Sequence, residues 1–261
     1  MIEKPTKTAR AKAPVRAKAG KEPVPEKATA VAFLQRLREN ASAEEARKYD
    51  RYFPPAAREP GDRFIGVRMG TVFELAKAFV DMELAEIEKL LESDIHEARA
   101  GAVSIMSKQY NKKKQTAERQ EALYALYLRR HDRINAWDLV DLGAWYVVGS
   151  WLVEMPRNIL YRLAESENPW ERRTAILATF AFIREGDCDD TYAIAGLLMN
   201  ERVEPVQKAV GWMLRTTGND RRRLTDFLDT HAAHMPRPML RAAIEKLDPE
   251  QRAHYLGLGK G

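Results

Sequence analysis

The chain reads as an all-α protein, a right-handed α-solenoid of about six helix pairs with a concave basic surface. Three observations predict this. Apolar residues recur at helical spacing almost without interruption from residue 29 onward. No segment shows sustained period-2 alternation between turn signals, the pattern of strands. A charged residue opening a small or apolar helical core also returns at near-constant intervals: Arg99-Ala-Gly-Ala-Val, Asp138-Leu-Val-Asp-Leu, Arg173-Thr-Ala-Ile-Leu, Lys208-Ala-Val-Gly-Trp and Arg241-Ala-Ala-Ile-Glu, spaced by 39, 35, 35 and 33 residues. A shorter helix precedes each of them, so the repeating unit is a helix pair that buries its face on its neighbours. An irregular helical bundle is the alternative.

The elements follow in order. Helices are predicted over 29–39, 43–52, 68–79, 83–91, 94–109, 116–130, 135–151, 157–165, 169–184, 189–199, 204–215, 220–232, 236–246 and 249–256. Ser93-Asp94, Asn168-Pro169, Glu204-Pro205 and Met235-Pro236 are helix starts: a capping side chain or a proline at the first turn suits the orphan N–H groups there. Gly186 and Gly218 are stops. The repeat is shorter than the usual HEAT period, so the solenoid is HEAT-like. Residues 29–261 are expected to form one domain, and residues 1–28, rich in Ala, Pro and Lys, a disordered basic tail.

Charge sharpens this division. The net charge is +5. The tail alone holds eight Lys/Arg against three Glu, so the remainder is neutral. Any affinity of the body for a polyanion must come from segregation of its charges. No apolar run approaches the ~20 residues of a membrane span, and the first residues lack the apolar core of a secretory signal. The single cysteine, Cys188, excludes a disulfide framework and a thiolate metal cluster. A cytoplasmic location and no membrane partner are expected.

Aligned positions of successive repeats line one ridge, and the second helix of each pair commonly lines the concave face. Arg99, Arg173, Lys208 and Arg241 would form a cationic track fitted to a phosphate backbone. The alternative is a set of solvated helix faces with local ion pairs, for which Glu171 and Glu245 are available. The track is interrupted by the unusual segment 131–149, where Trp137, Asp138 and Asp141 stand in an otherwise buried helix. Trp137 and Asp141 lie four apart, on one face, one turn from each other. An aromatic plane beside a carboxylate suits a cation. Trp170 and Trp212 also lie at or next to the ridge, although core packing accounts for any one Trp.

Other chemistries find little support. There is no Gly-rich phosphate loop, no zinc-protease His-Glu pattern and no Gly-x-Ser-x-Gly elbow. His231 and His234 are three apart but have no third ligand nearby. Cys188 sits among acids that would raise a thiol pKa rather than activate it. No metal and no cofactor are expected.

Trp137-Asp-Leu-Val-Asp141, Trp170-Glu-Arg-Arg173-Thr-Ala-Ile and Lys208-Ala-Val-Gly-Trp212-Met-Leu-Arg215 resemble the bacterial HEAT-like DNA alkylation repair family, the alkylpurine DNA glycosylases. So do Phe64-Ile-Gly-Val-Arg68 and Ser104-Ile-Met-Ser-Lys108, and the likeness runs from about residue 43 to 247. The resemblance implies a monofunctional glycosylase that hydrolyses the N-glycosidic bond of N3- or N7-alkylated purines without base flipping. Its partner would be duplex DNA containing alkylated purines, bound by a monomer. Asp141 matches the catalytic Asp, Trp137 and Trp212 the aromatics that cradle the lesion's deoxyribose, and Arg173 the Arg beside them that engages the DNA backbone. Tyr49, with Tyr52 as competitor, matches a Tyr near the lesion. Arg68, Arg99, Lys108, Arg172, Lys208 and Arg241 are the further DNA-binding candidates. Arg68 departs from the polar residue expected there, and Arg172 beside Arg173 could share its role. Some proteins of this overall fold bind DNA without excising anything, so a non-catalytic binder of damaged or branched DNA is the alternative.

Overall fold

The computed structural model describes residues 28–54, 58–218 and 221–258. Apart from Ala28, the segment expected to be a disordered tail lies outside them. The described residues are helical throughout, with α1 at Ala30–Glu39, α2 at Ala43–Tyr49, α3 at Met69–Ala78, α4 at Leu84–Leu91, α5 at His96–Tyr110 and α6 at Ala117–Arg129. Then come α7 at Trp137–Gly143, a π-helical turn at Ala144–Gly149, α8 at Ser150–Leu152, α9 at Asn158–Ala164, α10 at Pro169–Ala178, α11 at Phe180–Arg184 and α12 at Asp189–Leu197. The chain closes with α13 at Glu204–Thr216, α14 at Arg221–His231, α15 at Arg237–Ala243 and α16 at Pro249–Gly257. Strands are absent from the described residues; the nearest approach is an isolated bridge between Arg63 and Ile95.

The expected caps explain several boundaries. The Asn168 side chain accepts from Trp170 N, ahead of Pro169 in the first turn of α10, and Asp248 and Thr116 cap α16 and α6 in the same way. Two predicted helices are interrupted. The 169–184 helix breaks at Thr179, whose hydroxyl bonds back to the Ile176 carbonyl. The 135–151 helix widens into the π turn, because the Leu142 carbonyl takes the Ser107 hydroxyl and the Trp145 carbonyl takes Ser150 Oγ at 3.0 Å.

The helices pair as the period predicts. The second members, α5, α7, α10, α13 and α15, pack each against the next in one row, and first members α4 and α6, then α9 and α12, meet on the other side. Small residues set the spacing of the row. A Cβ on Gly143 would strike Tyr127 and Val103, one on Gly149 would lie 2.2 Å from the Ala178 carbonyl oxygen, and one on Gly211 would lie 2.3 Å from that of Met239. Glycine therefore lets α7, the π turn and α13 sit backbone-close to their neighbours. The continuous core between the layers holds Phe33, Phe79, Tyr127, Phe182 and buried Leu and Ile residues from successive pairs.

Candidate active site

The row of second helices presents its N-terminal ends to one cleft of about 770 Å³. His96 opens α5, Trp137 opens α7, Trp170 and Arg173 belong to the first turns of α10, and Glu204, Pro205 and Lys208 to those of α13. Each helix N-terminus brings a partial positive charge to this wall, although at α10 the N–H groups of Trp170, Glu171 and Arg172 all bond to Asn168. Residues 51–54 and Phe64, with Arg58, also line the cleft. A second cleft of about 550 Å³ adjoins it, lined by Tyr49, Arg68, Met69 and Asp138, and the two share Arg51, Tyr52, Phe53 and Trp137. Trp137 is the partition. Its indole stacks on Phe53, with centroids 5.4 Å apart and planes 12° from parallel. Phe53 in turn joins Phe64, Tyr49 and His96 in one aromatic cluster.

One turn after Trp137, Asp141 meets Arg173. Its Oδ1 accepts Arg173 Nε at 3.0 Å and Nη2 at 2.7 Å. The third guanidinium arm donates to the Pro205 carbonyl at the start of α13. Arg173 is buried, but the Asp141 side chain keeps 26% of its exposure. Among the described residues Oδ2 accepts no hydrogen bond, and it is not sealed from solvent. Burial pushes the Asp141 carboxyl above the ordinary carboxylate range, Arg173 pulls it back, and neighbouring Asp138 adds to the rise. Behind the pair, the Thr174 hydroxyl meets Tyr127 Oη at 3.2 Å and His131 Nε2 at 3.0 Å. Burial lowers that histidine to about 4, so it stays neutral near pH 7.

Trp137, Arg173 and Lys208 line the first cleft, and Asp141 joins them through its bonds to Arg173, although neither Asp141 nor Trp212 is among the residues lining the two clefts. The structure also corrects the cationic track. Arg99 is fully buried and bound to Asp62 at 2.6 Å and to the Ser93 carbonyl, because its stem fills the core beneath α5. Arg173 spends its donors inside the protein. Arg172 grips Glu201 at 2.6 Å and two carbonyls of the 166–167 turn. Lys108, half-buried over the Phe73 ring and held down in pKa by burial, bonds Ser104 near the far end of α5. Arg68 is exposed and bound to Glu45, Lys208 is exposed beside Glu204, and Arg241 is exposed on α15. Trp212 is half-buried and one turn beyond Lys208, on the helix face that carries Pro205 and Lys208 to the cleft. The Tyr49 hydroxyl is tied to the Val67 carbonyl at 2.6 Å and pushed up by burial, whereas Tyr52 is 61% exposed and lines both clefts.

Sequence reasoning missed Phe53, His96 and Glu97. The Glu97 carboxylate is buried, and it accepts the backbone N–H groups of Ile65, Gly66 and Val67, fixing the loop beside the cleft. Three acids or bases opening α5 with three aromatics in Tyr49–Phe53 were the available signal. Among the described residues no cluster of three His, Cys, Asp or Glu side chains is arranged to hold a metal ion, and no helix is long and apolar enough to cross a membrane.

Fold and site together define a helical-repeat protein with a carboxylate–guanidinium pair beside an aromatic cleft. The sequence pattern of DNA alkylation repair enzymes matches residues 33–247, and the chain belongs to that family. Among solved structures it is similar to a predicted DNA alkylation repair enzyme from Enterococcus faecalis, with a TM-score of 0.62 and 18% identity over 80% of this chain and 98% of that one. At that identity the likeness speaks for the fold. No curated protein matches the sequence.

Proposed function

We propose that the protein is a monofunctional DNA glycosylase that hydrolyses the N-glycosidic bond of cationic N3- and N7-alkylated purines in duplex DNA, without taking the base out of the stack. The observation that carries this reading is the divided carboxylate of Asp141: one oxygen is fixed by Arg173, the other has no partner among the described residues.

A purine alkylated at N3 or N7 already bears a positive charge. When its bond to C1′ breaks, the electron pair goes to the base, which departs neutral and needs no general acid. The charge passes to the sugar as an oxocarbenium-like species. Asp141 Oδ2 is the group to face it and to orient the attacking water, whose oxygen bonds C1′ and whose proton passes to the carboxylate or solvent. Partial burial makes that anion more effective than one in water. Arg173 is then a positioning residue: its fork keeps Asp141 aimed and ionised. The faces of Trp137 and Trp212 add cation–π attraction of about 0.5–2 kcal/mol. One carboxylate suffices where two are needed for a neutral sugar leaving group.

The burial of Arg173 favours a second reading, a non-catalytic DNA-binding protein in which the Asp141–Arg173 pair is structural. Release of 7-methylguanine and 3-methyladenine from methylated duplex DNA separates the two. Glycosylase activity that falls in Asp141→Asn while DNA affinity persists supports the enzyme. Equal behaviour of both proteins supports the binder.

A further inference from the structure

Asp138 is the residue that the reaction above leaves without a task. It sits beside Trp137 and three residues before Asp141, near enough on one helix for their charges to act on each other. Its Oδ2 meets His96 Nε2 at 2.8 Å. His96 is fully buried, stacked on Phe64 at 4.5 Å and packed against Phe53, the ring that backs Trp137. Two polar atoms of this pair are left over. His96 Nδ1 and Asp138 Oδ1 are both buried and have no hydrogen-bond partner among the described residues.

Those two orphan atoms are informative. The 2.8 Å contact needs one proton between Nε2 and Oδ2. A second proton would have to go to Nδ1 or to Oδ1, where it would become a buried donor with no acceptor among the described residues, a costly state. The cheaper arrangement is neutral imidazole donating to ionised carboxylate, which carries a fixed charge of minus one. A largely buried pair of this kind, with 14% of the Asp138 side chain exposed, is weak as a stabilising device, since apolar residues of the same volume often serve as well. Its place against the reacting carboxylate gives it another use.

We propose that His96 holds Asp138 ionised, so that Asp138 acts as a positioning charge which keeps Asp141 basic and deepens the negative potential felt by the cationic sugar. The inference rests on the glycosylase reading for its catalytic consequence, though not for its electrostatic one. The charged and titratable groups around the pair include Tyr49 from α2, buried Glu97 next to His96 on α5, Arg99 with its Asp62 partner, Asp141 with Arg173, and Glu45 with Arg68 lining the second cleft. Arg99 and Arg173 are each engaged by their own carboxylate, so neither replaces His96 as partner to Asp138. The rise that Asp138 imposes on Asp141 agrees with this geometry.

The test uses the full chain and four variants. Asp138→Asn removes the charge. His96→Gln keeps an N–H donor, His96→Leu removes it and strands a carboxyl that then takes up a proton, and the double variant His96→Leu/Asp138→Asn checks that both act through one charge. The first readout is the titration of the Asp141 carboxyl by carbon-13 NMR in the free protein. Asp138→Asn and His96→Leu are expected to lower its midpoint by about one pH unit, His96→Gln to leave it in place, and the double variant to match the single ones. The second readout is the pH profile of alkylpurine release, with kcat falling roughly tenfold in Asp138→Asn at unchanged KM and its acid limb moving to lower pH. An Asp141 midpoint unmoved by Asp138→Asn overturns the proposal, as does His96→Gln behaving like His96→Leu. If His96→Leu does not fold, Asp138→Asn and His96→Gln decide alone. If the wild type releases no alkylpurine, the glycosylase reading fails and the NMR titration still judges the pair.

Discussion

Replacing Arg173 by Gln tests how the candidate carboxylate is held. The guanidinium makes two bonds to Asp141 Oδ1 and one to the Pro205 carbonyl, and its side chain is 6% exposed. Gln restores at most one donor and no charge. Removing one member of a buried pair costs about 3–5 kcal/mol. The stranded Asp141 retains a quarter of its exposure, so solvent recovers part of this and about 2–3 kcal/mol remains. For a chain of this size that is a fall of roughly 4–12 °C in Tm. The loss must also depend on pH. Arg173 lowers the Asp141 pKa against the rise caused by burial, so without it the folded-state pKa climbs further above the unfolded value of about 3.9. A carboxyl whose folded pKa is raised weakens the fold as pH rises through that range and costs nothing once protonated in both states. Melts followed by circular dichroism between pH 8 and pH 4 are expected to show the wild type and Arg173→Gln converging on acidification. A gap that stays constant with pH, or no gap at pH 8, would refute the pairing argument.

Other outcomes follow from the same structure. Phe53→Ala is expected to lower stability through its stack on Trp137, and a double-mutant cycle with Trp137→Ala should return a coupling of about 0.5–1.5 kcal/mol; additive losses would reject the stack. Gly149→Ala places a methyl 2.2 Å from the Ala178 carbonyl oxygen and should cost about 1–3 kcal/mol in denaturant unfolding, whereas Gly196→Ala, which meets no atom within 4 Å, should cost nothing. Lys208→Glu should weaken DNA binding and reduce the log–log salt slope by about one, while Arg172→Ala, released from Glu201, should lower Tm and leave the slope unchanged; the opposite pattern would restore Arg172 to the DNA surface.

Much of the fold was legible because the solenoid writes its period into the chain. Small residues at fixed offsets, with prolines and caps at the helix starts, located the start of each second helix within about two residues, and those of α10 and α13 on the residue. The π turn was not legible, since Ala144–Gly149 keeps the apolar pattern of an α-helix and its cause is a hydroxyl from Ser107, far away in sequence. The break at Thr179 was equally hidden, because a threonine that bonds backward and one that does not look alike in sequence.

The site divides in the same way. The spacing of Trp137 and Asp141 put them on one face, and the family resemblance set Arg173 beside them. Periodicity cannot tell which ridge cations reach solvent. Arg99 and Arg173 occupy equivalent places and both turn inward, each because a carboxylate on another segment, Asp62 or Asp141, is there to receive it. His96 and Phe53 escaped notice because their importance lies in contacts with α7, more than 40 residues away for His96.

The central claim is that Asp141 does chemistry. Its most direct test is the rate of 7-methylguanine release from methylated duplex DNA by the wild type and by Asp141→Asn, with DNA affinity measured alongside. A carboxylate supplying about 3–4 kcal/mol of transition-state stabilisation predicts a rate two to three orders of magnitude lower in the variant, with affinity nearly unchanged. Equal release by the two proteins, or release by neither above the spontaneous rate, would contradict the account.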